Sequence, residues 1–202
     1  HGISFNDSTM SSKGHINKIK LSGDNNKLKI FLFSEILGYE YYLKQYSITQ
    51  ENFIIAGVPR HDQVWIDKIQ SLSEPIMKNF NDEASIFIAS RPECNYIPRE
   101  RKVKVFKDIK SFIIDQLNMK VIVKLHPKEI NDRICEDIFG KEKYGKTWIY
   151  SNLHPYVLGK GKRLSIAFNS AVSFDMLRLG VPCIEYINLE GIPNMNGSTE
   201  YG

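Results

Sequence analysis

Apolar residues along this chain gather into short runs rich in β-branched and aromatic side chains, at 29–33, 52–56, 85–89, 120–125, 147–150, 164–168 and 182–186. Most runs are near-continuous rather than alternating, which marks strands covered on both faces. Between them, apolar positions recur at helical spacing. The clearest such stretch is 101–117, where Val105, Ile109, Phe112, Ile113 and Leu117 fall on one face. Others cover 36–46, 62–72 and 172–179. Strand and helix alternate throughout, so the pattern predicts an α/β fold, a doubly wound parallel sheet with helices on both sides.

A break in the pattern falls where Ser71, Ser73, Pro75, Asn79, Asn81 and Asp82 follow one helical stretch and precede a fresh strand–helix series. Residues 84–190 hold five predicted strands and make a near-complete doubly wound domain. Residues 1–72 hold two or three, too few to close a core, and read as the end of another domain plus a linker. Residues 191–202, rich in Gly and Asn, are expected to be an irregular tail.

Composition narrows the class. Of 202 residues, 42% are hydrophobic, 11% aromatic and 25% charged, which excludes a disordered chain, a collagen-like repeat and a disulfide scaffold. No uncharged apolar run approaches the roughly 18 residues of a membrane span. The net charge of +4 suits a protein that handles anionic ligands but falls short of a nucleic-acid footprint. Of the basic stretches, 99–110 is interleaved with Glu100 and Asp108 and is expected to be a solvated helix face. Cys94, Cys135 and Cys183 are far apart and lack CxxC spacing, so free thiols in a reducing cytoplasm are expected. The chain opens on His1-Gly2-Ile3-Ser4-Phe5, with no Met, basic leader or apolar signal core, which suggests a fragment.

One motif misleads. Gly140-Lys-Glu-Lys-Tyr-Gly145-Lys146-Thr147 matches the phosphate-loop pattern GxxxxGK[ST]. That loop needs a strand before it and a helix after it. Here 132–139 reads as a charged helix and 147–150 as a strand, so the order is inverted and a helix-to-strand turn is expected instead.

Three other constellations carry chemistry. In Phe168-Asn169-Ser170-Ala171-Val172-Ser173-Phe174-Asp175 a buried strand ends, small polar side chains fill a turn and a helix begins. In a parallel sheet that turn lies at the carboxyl edge, where helix-start N–H groups can hold phosphate. Ser170 and Ser173 could add hydroxyl donors, and Asp175 could accept from a ribose. Equally, Asn169, Ser170 or Ser173 could cap the helix while Asp175 offsets its dipole. In Lys124-Leu125-His126-Pro127-Lys128-Glu129 the histidine again ends a buried strand. It could bond a phosphate or give a proton to a leaving group, with Lys124 or Lys128 adding charge, or it could only cap the next helix. In Gly57-Val58-Pro59-Arg60-His61-Asp62, Gly and Pro shape a turn in which Arg60 and Asp62 are placed to pair. His15 and His154 have no partners at ligand spacing and read as surface residues. No metal-binding motif appears, and neither metal nor cofactor is expected.

Taken in order, His1-Gly2, Gly57-Val-Pro-Arg60-x-Asp62, Lys124-Leu-His126-Pro127 and Asn169-Ser170-(x)4-Asp175-(x)4-Gly180-x-Pro182 resemble the motif series of GT-B-fold transferases of bacterial surface polysaccharides. Nearest are the CDP-glycerol glycerophosphotransferases, the sialyl- and polysialyltransferases and the capsule polysaccharide transferases. The resemblance runs from His1 to about residue 190. It implies that 84–190 is the nucleotide-donor domain and 1–72 the last part of an acceptor-side domain. It implies that His126 contacts donor phosphate or assists the leaving group, that Ser170 and Ser173 form the hydroxyl pair at the phosphate beside Asn169, and that Asp175 takes the ribose. His1 corresponds to a catalytic histidine on the acceptor side, and Arg60 and Lys124 complete the expected cationic contacts. The implied partners are a CMP-, CDP- or UDP-activated sugar or polyol and a glycan acceptor. The implied location is the cytoplasm, with attachment to the inner membrane face through further parts left open. A sugar-nucleotide 2-epimerase and a non-catalytic nucleotide- or phosphoglycan-binding module stand as alternatives.

Overall fold

The structure is a computed structural model that describes residues 30–32, 53–71, 80, 85–187 and 189. By its internal contacts the chain divides into two compact units, His1–Trp65 and Ile66–Gly202. The first contains a parallel pair, β1 (Ile30–Leu32) and β2 (Phe53–Ile55), registered Ile30 to Phe53. After β2 the backbone turns at Gly57, whose φ of +68° favours glycine, and passes through a short 3-10 turn at Pro59–His61. Asp62 Oδ1 then accepts from Val64 N at 2.9 Å at the start of α1 (Gln63–Gln70). The expected helix at 36–46 lies outside the described residues, as do most of the seam after Ser71 and the 191–202 tail.

The second unit is built on β3 (Ser85–Ala89), β4 (Lys120–Lys124), β5 (Trp148–Tyr150), β6 (Ser165–Phe168) and β7 (Cys183–Tyr186). All pair in parallel, in the order β5-β4-β3-β6-β7. The strands fall where the apolar runs predict them, because β-branched runs without polar alternation suit a sheet buried on both faces. Alternation within β3 shows how each face is covered. Ile86 and Ile88 turn toward α2 (Arg99–Ile109) and α3 (Ile134–Phe139), packing with Val105, Phe106, Ile109 and Phe139. Phe87 and Ala89 turn the other way, with Leu158 of α4 (Pro155–Leu158) and Met176 of α5 (Val172–Arg178). Aromatic rings hold the first layer. Phe106 stacks on Phe168 with centroids 5.6 Å apart, and Trp148 meets Phe139 edge-on at 5.8 Å while its Nε1–H donates to Gly140 O at 2.8 Å.

Several expectations need correction. The 101–117 helix does not keep one α-helical stripe: from Lys110–Gln116 it becomes a π-helix, with Leu117 N donating to Phe112 O five residues back at 3.0 Å. The wider turn rotates the face, so Ile113 and Ile114 are buried while Phe112 is 55% exposed and Leu117 49%. The 99–110 stretch is not wholly solvated either, since Lys102 is 0% exposed. His154 is not a simple surface residue: its Nδ1 accepts from Tyr156 N at 3.2 Å and caps α4. Gly140 to Thr147 forms a 3-10 turn and loop between α3 and β5, the helix-to-strand turn expected.

Candidate functional site

The strand order reverses direction between β3 and β6. Crossovers from β3 through β5 build outward on one side, and β6 and β7 build outward on the other. At such a switch point the loops leaving the two central strands diverge and open a crevice at the carboxyl edge. Three loops meet that edge, following β3, β4 and β6.

The β3 loop begins at Ser90, whose N–H extends the ladder to Lys124 O at 2.9 Å. Arg91 follows, its guanidinium donating to Asn169 O at the end of β6 and lying over the Tyr96 ring at 5.4 Å. One side chain therefore bridges the two strands of the switch point. Burial pushes the Tyr96 hydroxyl above its ordinary pKa, with the nearby Arg91 charge opposing.

The β4 loop carries His126. Its extended backbone precedes a 3-10 turn, Pro127–Glu129, closed by reciprocal capping. His126 Nδ1 accepts from Lys128 N at 3.2 Å, and Glu129 Oε2 accepts from His126 N at 2.9 Å. With Nδ1 occupied as an acceptor, the proton of the neutral ring sits on Nε2, and the residue as a whole is exposed. Lys124, two residues earlier at the end of β4, donates to Asn152 O at 2.9 Å, and burial lowers the pKa of its ammonium group.

The β6 loop turns at Asn169, held at φ +41°, a left-handed conformation that asparagine tolerates better than most residues. The helix start that follows is already furnished with acceptors. Ser170 N donates to Glu185 Oε1 at 3.0 Å, Val172 N to Ser170 Oγ at 3.3 Å and Ser173 N to Ser170 O at 3.0 Å. Ser173 is buried, and its hydroxyl donates to Ser170 O at 2.9 Å. A carboxylate from β7 thus occupies part of the place expected for a phosphate. Burial raises the Glu185 carboxyl above the usual carboxylate range, with the bonds from Ser170 and Ser173 opposing. Asp175 is 3% exposed and accepts from Tyr156 OH at 3.3 Å, tying α5 to α4.

Of the expected residues, the fold brings His126, Lys124, Asn169, Ser170 and Ser173 to the carboxyl edge of one sheet. Arg60 belongs to the other unit, in the turn after β2, and His1 lies outside the described residues. Arg91, Glu129, Lys102 and Glu185 went unrecognised. A signal existed for Arg91, because Ser90-Arg91-Pro92 follows a buried strand just as His126-Pro127 does. The third-position Glu129 fits a capping box, and Lys102 shares the apolar stripe of Val105, Phe106 and Ile109. Beside the β3 and β4 loops an open pocket of ≈ 520 Å³ is lined by Glu93, Arg99, Lys128, Asp132 and Arg133 among others. Among the described residues no group of His, Cys, Asp or Glu is arranged to hold a metal ion, and no helix is long and apolar enough to cross a membrane.

No protein-family model matches this chain, and no curated protein matches it by sequence. Solved structures do. The UDP-GlcNAc 2-epimerase of Methanocaldococcus jannaschii, in complex with UDP-GlcNAc and UDP, is similar over 78% of this chain and 44% of its own, with TM-score 0.53 and 23% identity. The heptosyltransferase WaaC of E. coli, with ADP-2-deoxy-2-fluoro heptose, is similar over 72% of this chain and 42% of its own, with TM-score 0.42 and 10% identity. The chain therefore spans less than half the length of either structure. With the epimerase likeness added to the strand order, the fold is Rossmann-like, of the GT-B type.

Proposed function

We propose that residues 84–190 are the nucleotide-donor domain of a glycosyl- or glycerophosphotransferase of surface-polysaccharide synthesis, and that residues 1–72 belong to its acceptor-side domain. The observation that carries this reading is the meeting of Arg91, Ser170 and His126 at the carboxyl edge of a switch point. As a nucleotide leaves, negative charge grows on its phosphate oxygen. Arg91 and the Nε2–H of His126 would offset that charge, with Lys128 and Lys124 adding to the field. Ser170 keeps its O–H as a donor while its oxygen accepts from Val172 N. Ser173 and Asp175 stand buried behind this row, and in this reading they hold α5 in place. His1 and Arg60 would act from the acceptor side.

Calorimetric titration with UDP, CDP, CMP and ADP tests the proposal. The solved epimerase holds UDP-GlcNAc and UDP, so uridine nucleotides lead the panel. Binding of at least one nucleotide is expected, and Arg91→Ala or His126→Ala should each weaken it about tenfold, the scale of one charge-assisted hydrogen bond. A flat response to the whole panel would sink the nucleotide reading.

The same likeness supports a second reading, a 2-epimerase. It predicts that UDP-GlcNAc is converted to its 2-epimer without any acceptor, which proton NMR of the sugar would follow directly. A transferase leaves the sugar unepimerised.

A further inference from the structure

Glu129 is a buried carboxylate with partners in three places. Its Oε1 accepts from Ser90 Oγ at 2.9 Å and pairs with Lys102 Nζ, and its Oε2 accepts from His126 N at 2.9 Å. Lys102 in turn donates to Arg91 O at 2.9 Å and lies 3.9 Å from Asp132 Oδ2. The two side chains are 0% and 2% exposed. One ion pair thus grips the backbone of the loop bearing Arg91 and the backbone of the loop bearing His126. Burying two charges is expensive, so a buried ion pair is by itself weak evidence of a role in stability. An apolar pair would not supply a hydrogen-bond network that joins the two loops.

We infer that Lys102 and Glu129 are positioning residues that set Arg91 and His126 at a fixed spacing across the carboxyl edge. The inference rests on the nucleotide reading for its ligand, while its geometry stands by itself. The charged hub fixes the loops in a way that hydrophobic packing cannot, because Ser90 Oγ, His126 N and Arg91 O all need a partner of defined direction.

Two measurements on the full chain test it. In the first, amide hydrogen exchange is followed at 90–93 and 126–129, with the central residues of β3 and β4 as the reference for global opening. Glu129→Gln should raise exchange in both loops at least tenfold beyond any change in the strands. Ser90→Ala, a milder change that keeps the ion pair, should raise exchange at 126–129 several-fold although no atom there is altered. In the second, UDP is titrated into wild type, Glu129→Gln, His126→Ala and the double variant. Glu129→Gln should raise the Kd about tenfold, and the double variant should lose less than the product of the two single losses.

Loop exchange that merely tracks the strands, or losses in Kd that multiply, would overturn the inference. Should Glu129→Gln fail to fold, the exchange pattern of Ser90→Ala decides it. Should UDP bind no form of the protein, the uridine reading fails and the exchange data still decide the positioning role.

Discussion

Lys102 shows how far one residue can depart from the face it occupies. It sits on a helix whose other lysines face water, yet its ammonium is enclosed and paired with a carboxylate 27 residues away. Removing it leaves Glu129 charged in an enclosed site. Lys102→Met should therefore lower stability by about 3–5 kcal/mol, read from the urea midpoint. Lys102→Met combined with Glu129→Leu should recover much of that loss, because no lone charge remains, yet fall short of wild type because Ser90 Oγ and His126 N lose their acceptor. A double variant no more stable than the single one would argue against a buried pair. Glu185 gives a prediction of the opposite kind. Burial raises its folded pKa, so the folded state holds the proton more tightly than the unfolded chain does. Its contribution is full below the ordinary glutamate value of about 4.3 and is lost as pH rises through the raised value. The stability curve of Glu185→Gln should accordingly be flatter than that of wild type as pH rises above the ordinary glutamate value of about 4.3. Parallel curves would assign the titration elsewhere.

At the scale of elements, the strands were legible and one helix was misread, for separate physical reasons. A strand buried on both faces has to be apolar at every position, and β3 and β4 show it directly in Ile86-Phe87-Ile88 and Val121-Ile122-Val123. A π-turn leaves no such mark, since it redistributes hydrogen bonds without requiring a particular residue. Phe112 therefore read as core, although the rotated face buries Ile114 instead. The shift has a clean test by urea denaturation. Ile113→Ala should cost about 2–5 kcal/mol, whereas Phe112→Ser should stay within about 0.5 kcal/mol of wild type. Comparable losses at both positions would restore the unbroken α-helical stripe. The short helix α4 was missed because four residues are too few to show a period, although Pro155 after His154 is a start signal.

For the molecule as a whole, the parallel order was legible because alternation of strand and helix leaves few other arrangements. The candidate edge was legible in two of its three loops, from His126-Pro127 and Asn169-Ser170. The third loop and the hub behind it leave local marks in the sequence, but their partners come only with tertiary contacts, since Arg91 finds its partner 78 residues on and Ser90 finds Glu129 39 residues on. Strand order also has a temporal consequence. β3, β4 and β5 are consecutive neighbours and can associate as soon as they leave the ribosome, but β3 must wait for β6 before its other edge is covered. The junction of β3 and β6 thus comes into existence only after β3, β4 and β5 have all been made, and β7 adds to it last. A small molecule that binds there recognises only chains that have completed this pairing, and its binding energy draws nascent protein toward the finished state.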